Sequence, residues 1–179
     1  MPTINMSEAL EEAYATADTK AIPYGTLEFV HPLWDTPARI LDGWDQIEAR
    51  LETPSDSGHA GELVTFYPVP IDWVMPVTTP DEVPSFQFKF YDPSRMVMQK
   101  IFDAQDDPQP IQMYVRIFLS NHLDIGPETV PVPRYHVASV KINARSSLIT
   151  GRCIFQDYMG RSAPFRTYTL AEFPGLRRR

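Results

Sequence analysis

Few residues of this chain carry the side chains that chemistry needs. The four histidines are His31, His59, His122 and His136, and none forms an H-x-x-x-H or H-E-x-x-H pair. A zinc protease needs two such ligands on one helix face, so the spacing gives no such site. Cys153 is the one cysteine. Paired with His136 it would be a nucleophile and its base, but a reactive thiolate sits at a helix N-terminus or beside a cation. Cys153 falls mid-strand between Arg152 and Ile154, which predicts a buried structural thiol. Asp103, Asp106 and Asp107 cluster without the alternate spacing, glycine and terminal glutamate of a calcium loop, so a solvated acidic turn is expected. Trp34, Trp44 and Trp73 are candidates for a sugar platform, for an interface, or for the core, which is the commonest fate of tryptophan. No G-x-S-x-G, P-loop or G-x-G-x-x-G occurs. The residues predict no catalytic, metal or cofactor site.

The elements that would position these residues read mainly as strands. The organising stretch is Phe66–Tyr91. Its first half is apolar but broken by Pro68, Pro70 and Pro76, and proline cannot donate to a ladder, so this half belongs at a sheet edge or on a subunit surface. Its second half alternates strictly, with Phe86, Phe88 and Phe90 on one face, as a half-buried strand does. Ile111–Ser120 is the best strand, followed by Tyr135–Ile142 and Leu148–Phe155. Ile22–Val30 is another, with Gly25 hinting at a bulge. Ala38–Leu41 and Ile47–Glu52 flank Asp42-Gly43 as a hairpin would. Met6–Ala17 has helical spacing and a capping Asn5, and Asp92-Pro93 opens a second helix that ends near Gln105. Thr53–Gly61 is flexible by composition. The expected fold is α+β, mostly antiparallel β (a sandwich or barrel-like), with an N-terminal helix and one helix near the middle of the chain. Residues 1–20 form the N-terminal helix in this division, 21–155 a β-rich domain and 156–179 an extended C-terminal arm.

Composition narrows the function. At 179 residues and 43% hydrophobic content there is enough for one domain with a sizeable core. Eighteen prolines are about twice the usual ~5% share, which favours short strands and stiff loops over long helices. A net charge of −7 argues against general nucleic-acid binding; the one basic run is Arg177-Arg178-Arg179. A single cysteine, no membrane-length apolar run and no basic-then-apolar start predict a soluble protein made in a reducing cytoplasm.

Taken in order, several segments resemble a phage-tail family known as a domain of unknown function and often encoded just after the tape-measure protein. SEALEEAYATA is followed by LEFVHP; YPVPIDWVMP has the family's proline-broken look; SFQFKFYD and the Met96–Phe102 helix lead into IQMYVRIFLS; and PFRTYTLAEFPGL closes on F-P-G-L. The likeness runs from about Ser7 to Leu176. More loosely, the layout is similar to the N-terminal part of the minor tail protein L of lambdoid phages, whose cysteine-rich iron–sulfur region has no counterpart in a chain with only Cys153.

The resemblance implies a virion protein of the tail tip or baseplate. It would form a homo-oligomeric ring, trimeric or hexameric, joining the tail tube and tape-measure protein to a hub, receptor-binding or fibre protein, with no membrane or specific nucleic-acid partner. The implied mechanism is assembly through strand edges and arms, with Tyr67, Pro68, Pro70, Trp73, Pro76, Phe165, Tyr168 and Phe173 as interface residues. The loops Thr53–Gly61 and Asn121–Pro133 are further interface candidates. The alternatives from other classes are a tail-associated cell-wall hydrolase and a small carbohydrate-binding module.

Overall fold

A computed structural model describes residues 5–6, 21–76 and 85–155. Eleven strands occur among them: β1 Asn5–Met6, β2 Pro23–Val30, β3 Ala38–Asp42, β4 Ile47–Arg50, β5 Leu63–Val69, β6 Ile71–Val74, β7 Ser85–Tyr91, β8 Gln112–Leu119, β9 Thr129–Val130, β10 Arg134–Asn143 and β11 Leu148–Phe155. The single helix among the described residues, α1, spans Met96–Asp103. Nine strands form one sheet in the order β4-β5-β3-β2-β8-β10-β11-β7-β6, and β1 pairs separately with β9.

This arrangement corrects the expected fold class. The sheet is mixed, because β3 and β5 pair in parallel while the other ladders are antiparallel. No N-terminal helix stands among the described residues: Met6, its expected first residue, is in a strand opposite Thr129. The rest of that span, 7–20, lies outside the described residues, as do the loop 77–84 and the arm 156–179. The Asp42-Gly43 hairpin is also corrected. β3 and β4 do not pair with each other, because both pair with β5, which lies between them in the strand order. Gly25 marks no bulge either: β2 and β8 pair without a register break from Pro23↔Leu119 to Val30↔Gln112.

The sheet curls on itself. β5 and β6 are separated only by Pro70, yet they lie near opposite ends of the strand order. Phe29 on β2 meets Phe88 on β7 with ring centroids 5.4 Å apart, although three strands separate β2 from β7 in the sheet. The inner face gathers Leu27, Phe29, Ile40, Phe86, Phe88, Phe90, Met113, Val115, Ile149 and Cys153, with Val97 and Met98 of α1 packed into the same core. Each fully buried phenylalanine there contributes about 1.5–3 kcal/mol. Gly25 is where the Trp73 indole from β6 lies; a Cβ on Gly25 would overlap that ring.

α1 starts differently from the expected cap-and-proline pattern. Its N-cap is Arg95, with φ 58°, and makes no side-chain cap bond. Asp92 supplies the acceptor from three residues earlier: its Oδ2 takes the Met98 N–H at 2.8 Å, and its Oδ1 takes the Ser94 hydroxyl at 2.8 Å. The buried carboxylate thereby satisfies one of the helix's orphan donors.

A second, smaller core lies on the other face of β2 and β8, formed by Leu41, Ile47, Ala49, Leu51, Val64, Phe66 and Phe118. β2 and β8 are therefore covered on both faces, and their outward-pointing polar residues are buried too.

Candidate interaction surface

The residues singled out for chemistry do not assemble. His31 is buried and accepts at Nδ1 from the Leu33 N–H at 3.3 Å while its Nε2–H donates to the Gln109 carbonyl at 3.0 Å; both ring nitrogens hold loops together. His59 pairs with Glu62 at 2.9 Å and His122 with Glu128 at 2.7 Å. His136 is opposite Ile154, whereas Cys153 is opposite Val137. Successive strand residues face opposite ways, so the thiol and the imidazole lie on different faces of the sheet. Among the described residues no group of three or more His, Cys, Asp or Glu side chains could hold a metal ion.

Cys153 is fully buried and its Sγ–H lies 3.7 Å from Met113 Sδ. Burial pushes the thiol up to about 12. The thiol of the folded protein should therefore resist a thiol-specific reagent at pH 8 and react only as guanidinium unfolds the chain. Fast labelling of the native protein would show that the strand opens locally.

The tryptophans part company. Trp34 packs beside α1, donating from Nε1 to the Lys100 carbonyl at 2.9 Å with the Lys100 ammonium 5.5 Å from its ring centre. Trp44 stands 97% exposed in the turn after β3. Trp73 turns inward over Gly25 and meets Phe86 edge-on at 6.1 Å. No ring contact joins the three.

What the proline-broken stretch presents outward is thus a different set. Ile71 and Trp73 face in, opposite Phe90 and Phe88, while Asp72 and Val74 face out. Tyr67, Val74, Met75 and Tyr91 are all exposed large apolar side chains. Pro70 is exposed at the join of β5 and β6, and Pro68 and Pro76 are half-buried. Beside Pro70 is a dent of about 250 Å³ floored by Ile71 and Phe90 and rimmed by Asp42, Asp72 and Lys89. Val74 is on β6, the last strand of the order among the described residues, with Met75 just after it; Tyr91 is on the neighbouring β7, and Tyr67 is on β5. Exposed aromatic and methionine side chains are enriched at protein interfaces. Phe165, Tyr168 and Phe173 lie outside the described residues.

A family model for a domain of unknown function, DUF1833, matches residues 9–168. The chain belongs to the DUF1833 family. A search of curated proteins finds no match to it. The DUF1833 span takes in β2 through β11, with the exposed Tyr67, Val74 and Tyr91, and also Phe165 and Tyr168.

Sequence reasoning missed one feature of this DUF1833 chain. On the outer face of β2 and β8, Arg116 and Glu28 are fully buried. The Arg116 guanidinium donates from Nη1 to Glu28 Oε2 at 2.7 Å, and from Nε and Nη2 to the two oxygens of Glu52 at 2.7 and 2.8 Å. Arg39 donates from Nε to the other oxygen of Glu28 at 2.8 Å. Two cations and two anions thus alternate in one chain of contacts. Arg116 Nη2 also lies 3.3 Å from Ser57 Oγ, and the Tyr114 hydroxyl donates to the Asp56 carbonyl at 3.0 Å. Thr53–Gly61, flexible by composition, is held in place by this network. Burial works to raise the Glu52 carboxyl, but its hydrogen bonds to Arg116 and Ser55 and the Arg116 charge outweigh it and hold it below its ordinary value. The signal available was the pair of charged residues inside otherwise apolar strands, Glu28 between Leu27 and Phe29, and Arg116 between Val115 and Ile117.

Proposed function

We propose that this chain is a structural component of a phage tail tip or baseplate, a ring-forming protein that joins the tail tube to receptor-binding or fibre proteins and does its work by assembly without bond chemistry. The observation that carries this reading is the exposed apolar side chains at the end of the sheet, Val74 on β6, Met75 just after it and Tyr91 on β7, together with exposed Tyr67 on β5, while the one tryptophan of that stretch is turned inward. A self-associating surface on one edge and a different acceptor surface elsewhere is what closes a head-to-tail ring. The likeness of its ordered segments to the phage-tail family, and more loosely to the minor tail protein L, supplies the setting. A cell-wall hydrolase reading draws no support from Cys153 and His136, which face apart. A sugar-binding reading draws none from three tryptophans that share no ring contact.

Native mass spectrometry of the purified protein tests the proposal, followed by electron microscopy of assembled particles. The expected species is a trimer or hexamer. Tyr67→Asp with Val74→Asp should reduce it to monomer while leaving the melting temperature within a few degrees, because both side chains are exposed. A wild-type chain that stays monomeric at every concentration and never enters a particle overturns the reading.

A further inference from the structure

Trp44 is the most exposed large apolar side chain among the described residues, at 97%. An indole buries much apolar area when it docks, and tryptophan is enriched where contacts carry binding energy. It stands in the turn Asp42-Gly43-Trp44-Asp45, which is tied to β6 where the Ile71 N–H donates to Asp42 Oδ1 at 3.5 Å. Asp42 also lines the dent shared with Tyr91, so the indole is two residues from that dent.

A second apolar surface lies elsewhere. β8 pairs with β10 only over Arg134–His136, and beyond that point a groove of about 530 Å³ runs between β10 and the C-terminal end of α1. Phe102, Ile111, Val140 and Ile142 line it together with Gln105 and Gln109, and none of its lining residues is charged. Depletion of charge marks the middle of an interface. The volume falls within the roughly 300–1,000 Å³ of pockets that bury drug-sized groups. Apolar walls suit an aromatic ring, and a glutamine amide oxygen can accept the one N–H that an indole must bond when buried.

The two surfaces are distinct. Ile71 is opposite Phe90, Phe90 opposite Ile149, and Ile149 opposite Ile142 of the groove. Three strand spacings, about 14 Å, therefore separate the strand that holds the Trp44 turn from the groove. The indole, being exposed, does not fill the groove of its own chain. We propose that Trp44 of one copy docks in this groove on the next copy. The inference rests on the ring reading above and names the acceptor surface that such a ring needs. A projecting group on one surface and its pocket on another make a heterologous contact, in which every copy gives one indole and receives one, and such a contact closes into a ring.

Two measurements on the full-length protein decide this. The first is native mass spectrometry across a dilution series. Trp44→Ala and Phe102→Lys should each weaken self-association by at least about thirtyfold. Both should keep melting temperatures within a few degrees of wild type, because both side chains are exposed. Mixed together, the two variants should regain one contact, Trp44 of the Phe102→Lys chain in the intact groove of the Trp44→Ala chain. The product should be a dimer of one copy each that grows no further. A mixture that stays monomeric where wild type assembles overturns the proposal. In the second measurement, p-benzoylphenylalanine placed at position 44 should crosslink on illumination to residues 101–111 or 137–144 of another copy. Crosslinks between copies that map only elsewhere overturn it. A wild type that assembles while both variants assemble equally well removes this docking alone and leaves Trp44 for a different protein. A wild type that is monomeric at every concentration removes the ring reading with it.

Discussion

Arg116→Ala should be the most damaging single change in the molecule, lowering the unfolding free energy by about 3–5 kcal/mol in a guanidinium titration. The size follows from what is left behind. Glu28 is fully buried, and it would keep only Arg39; Glu52 would lose a two-pronged partner at 2.7 and 2.8 Å. A buried carboxylate stripped of its cation costs more than the pair gained when both were present. Arg116→Lys should not rescue it, because an ammonium cannot reproduce the fork that reaches Glu28 and Glu52 together. The same cluster sets an acid limit. The Glu52 carboxyl is held below its ordinary value of 4.5 in the folded protein. Its contribution is complete above that value and is lost as pH falls through the lower folded-state value. Stability measured from pH 6 down to pH 3 should therefore fall in wild type and fall less steeply in Glu52→Gln, whose starting stability is lower. Parallel curves for the two proteins would show that Glu52 is not the titrating group.

Gly25→Val should rank second, at about 1–3 kcal/mol or more, measured by the same titration. The loss would come from overpacking, since even one Cβ at this position overlaps the Trp73 indole. Backbone conformation plays no part, because β2 runs in unbroken register through Gly25. Trp73→Leu in the Gly25→Val background should recover part of the loss, and a double-mutant cycle should show coupling between two residues that belong to non-neighbouring strands. Strict additivity would mean that the indole moves aside at no cost.

The two experiments separate what the sequence made legible from what it hid. Period-two alternation located β7 and β8 because each has one apolar face, Phe86, Phe88 and Phe90 in one case and Met113 and Val115 in the other. Alternation also put Arg116 on the opposite face. It could not tell that this face is covered, because the cover comes from β4, β5 and the Glu52–Ser57 segment, which are distant in sequence. The hairpin at Asp42-Gly43 failed for the same reason: local turn chemistry is silent about β5 taking the place between two strands. Met6 has helical spacing with its neighbours, and its pairing with Thr129 has no local signature. Ile71 and Trp73 share one parity and Asp72 and Val74 the other, which agrees with the core as the commonest fate of tryptophan, but Val74 is itself apolar and blurs the alternation, and the proline breaks point to a surface instead.

The central ladder between β2 and β8 has a consequence for how the molecule comes into being. Glu28 and Arg116, which hold its outer face, are separated by 88 residues. During synthesis β2 and β3 leave the ribosome long before β8 exists, and nothing local can stand in for it. The pairs β2–β3 and β10–β11 each join strands that follow one another in sequence, and they pay less chain entropy to pair. These two hairpins should therefore form first, and the ladder between β2 and β8 should close in a slow, late step typical of sheets built from distant partners.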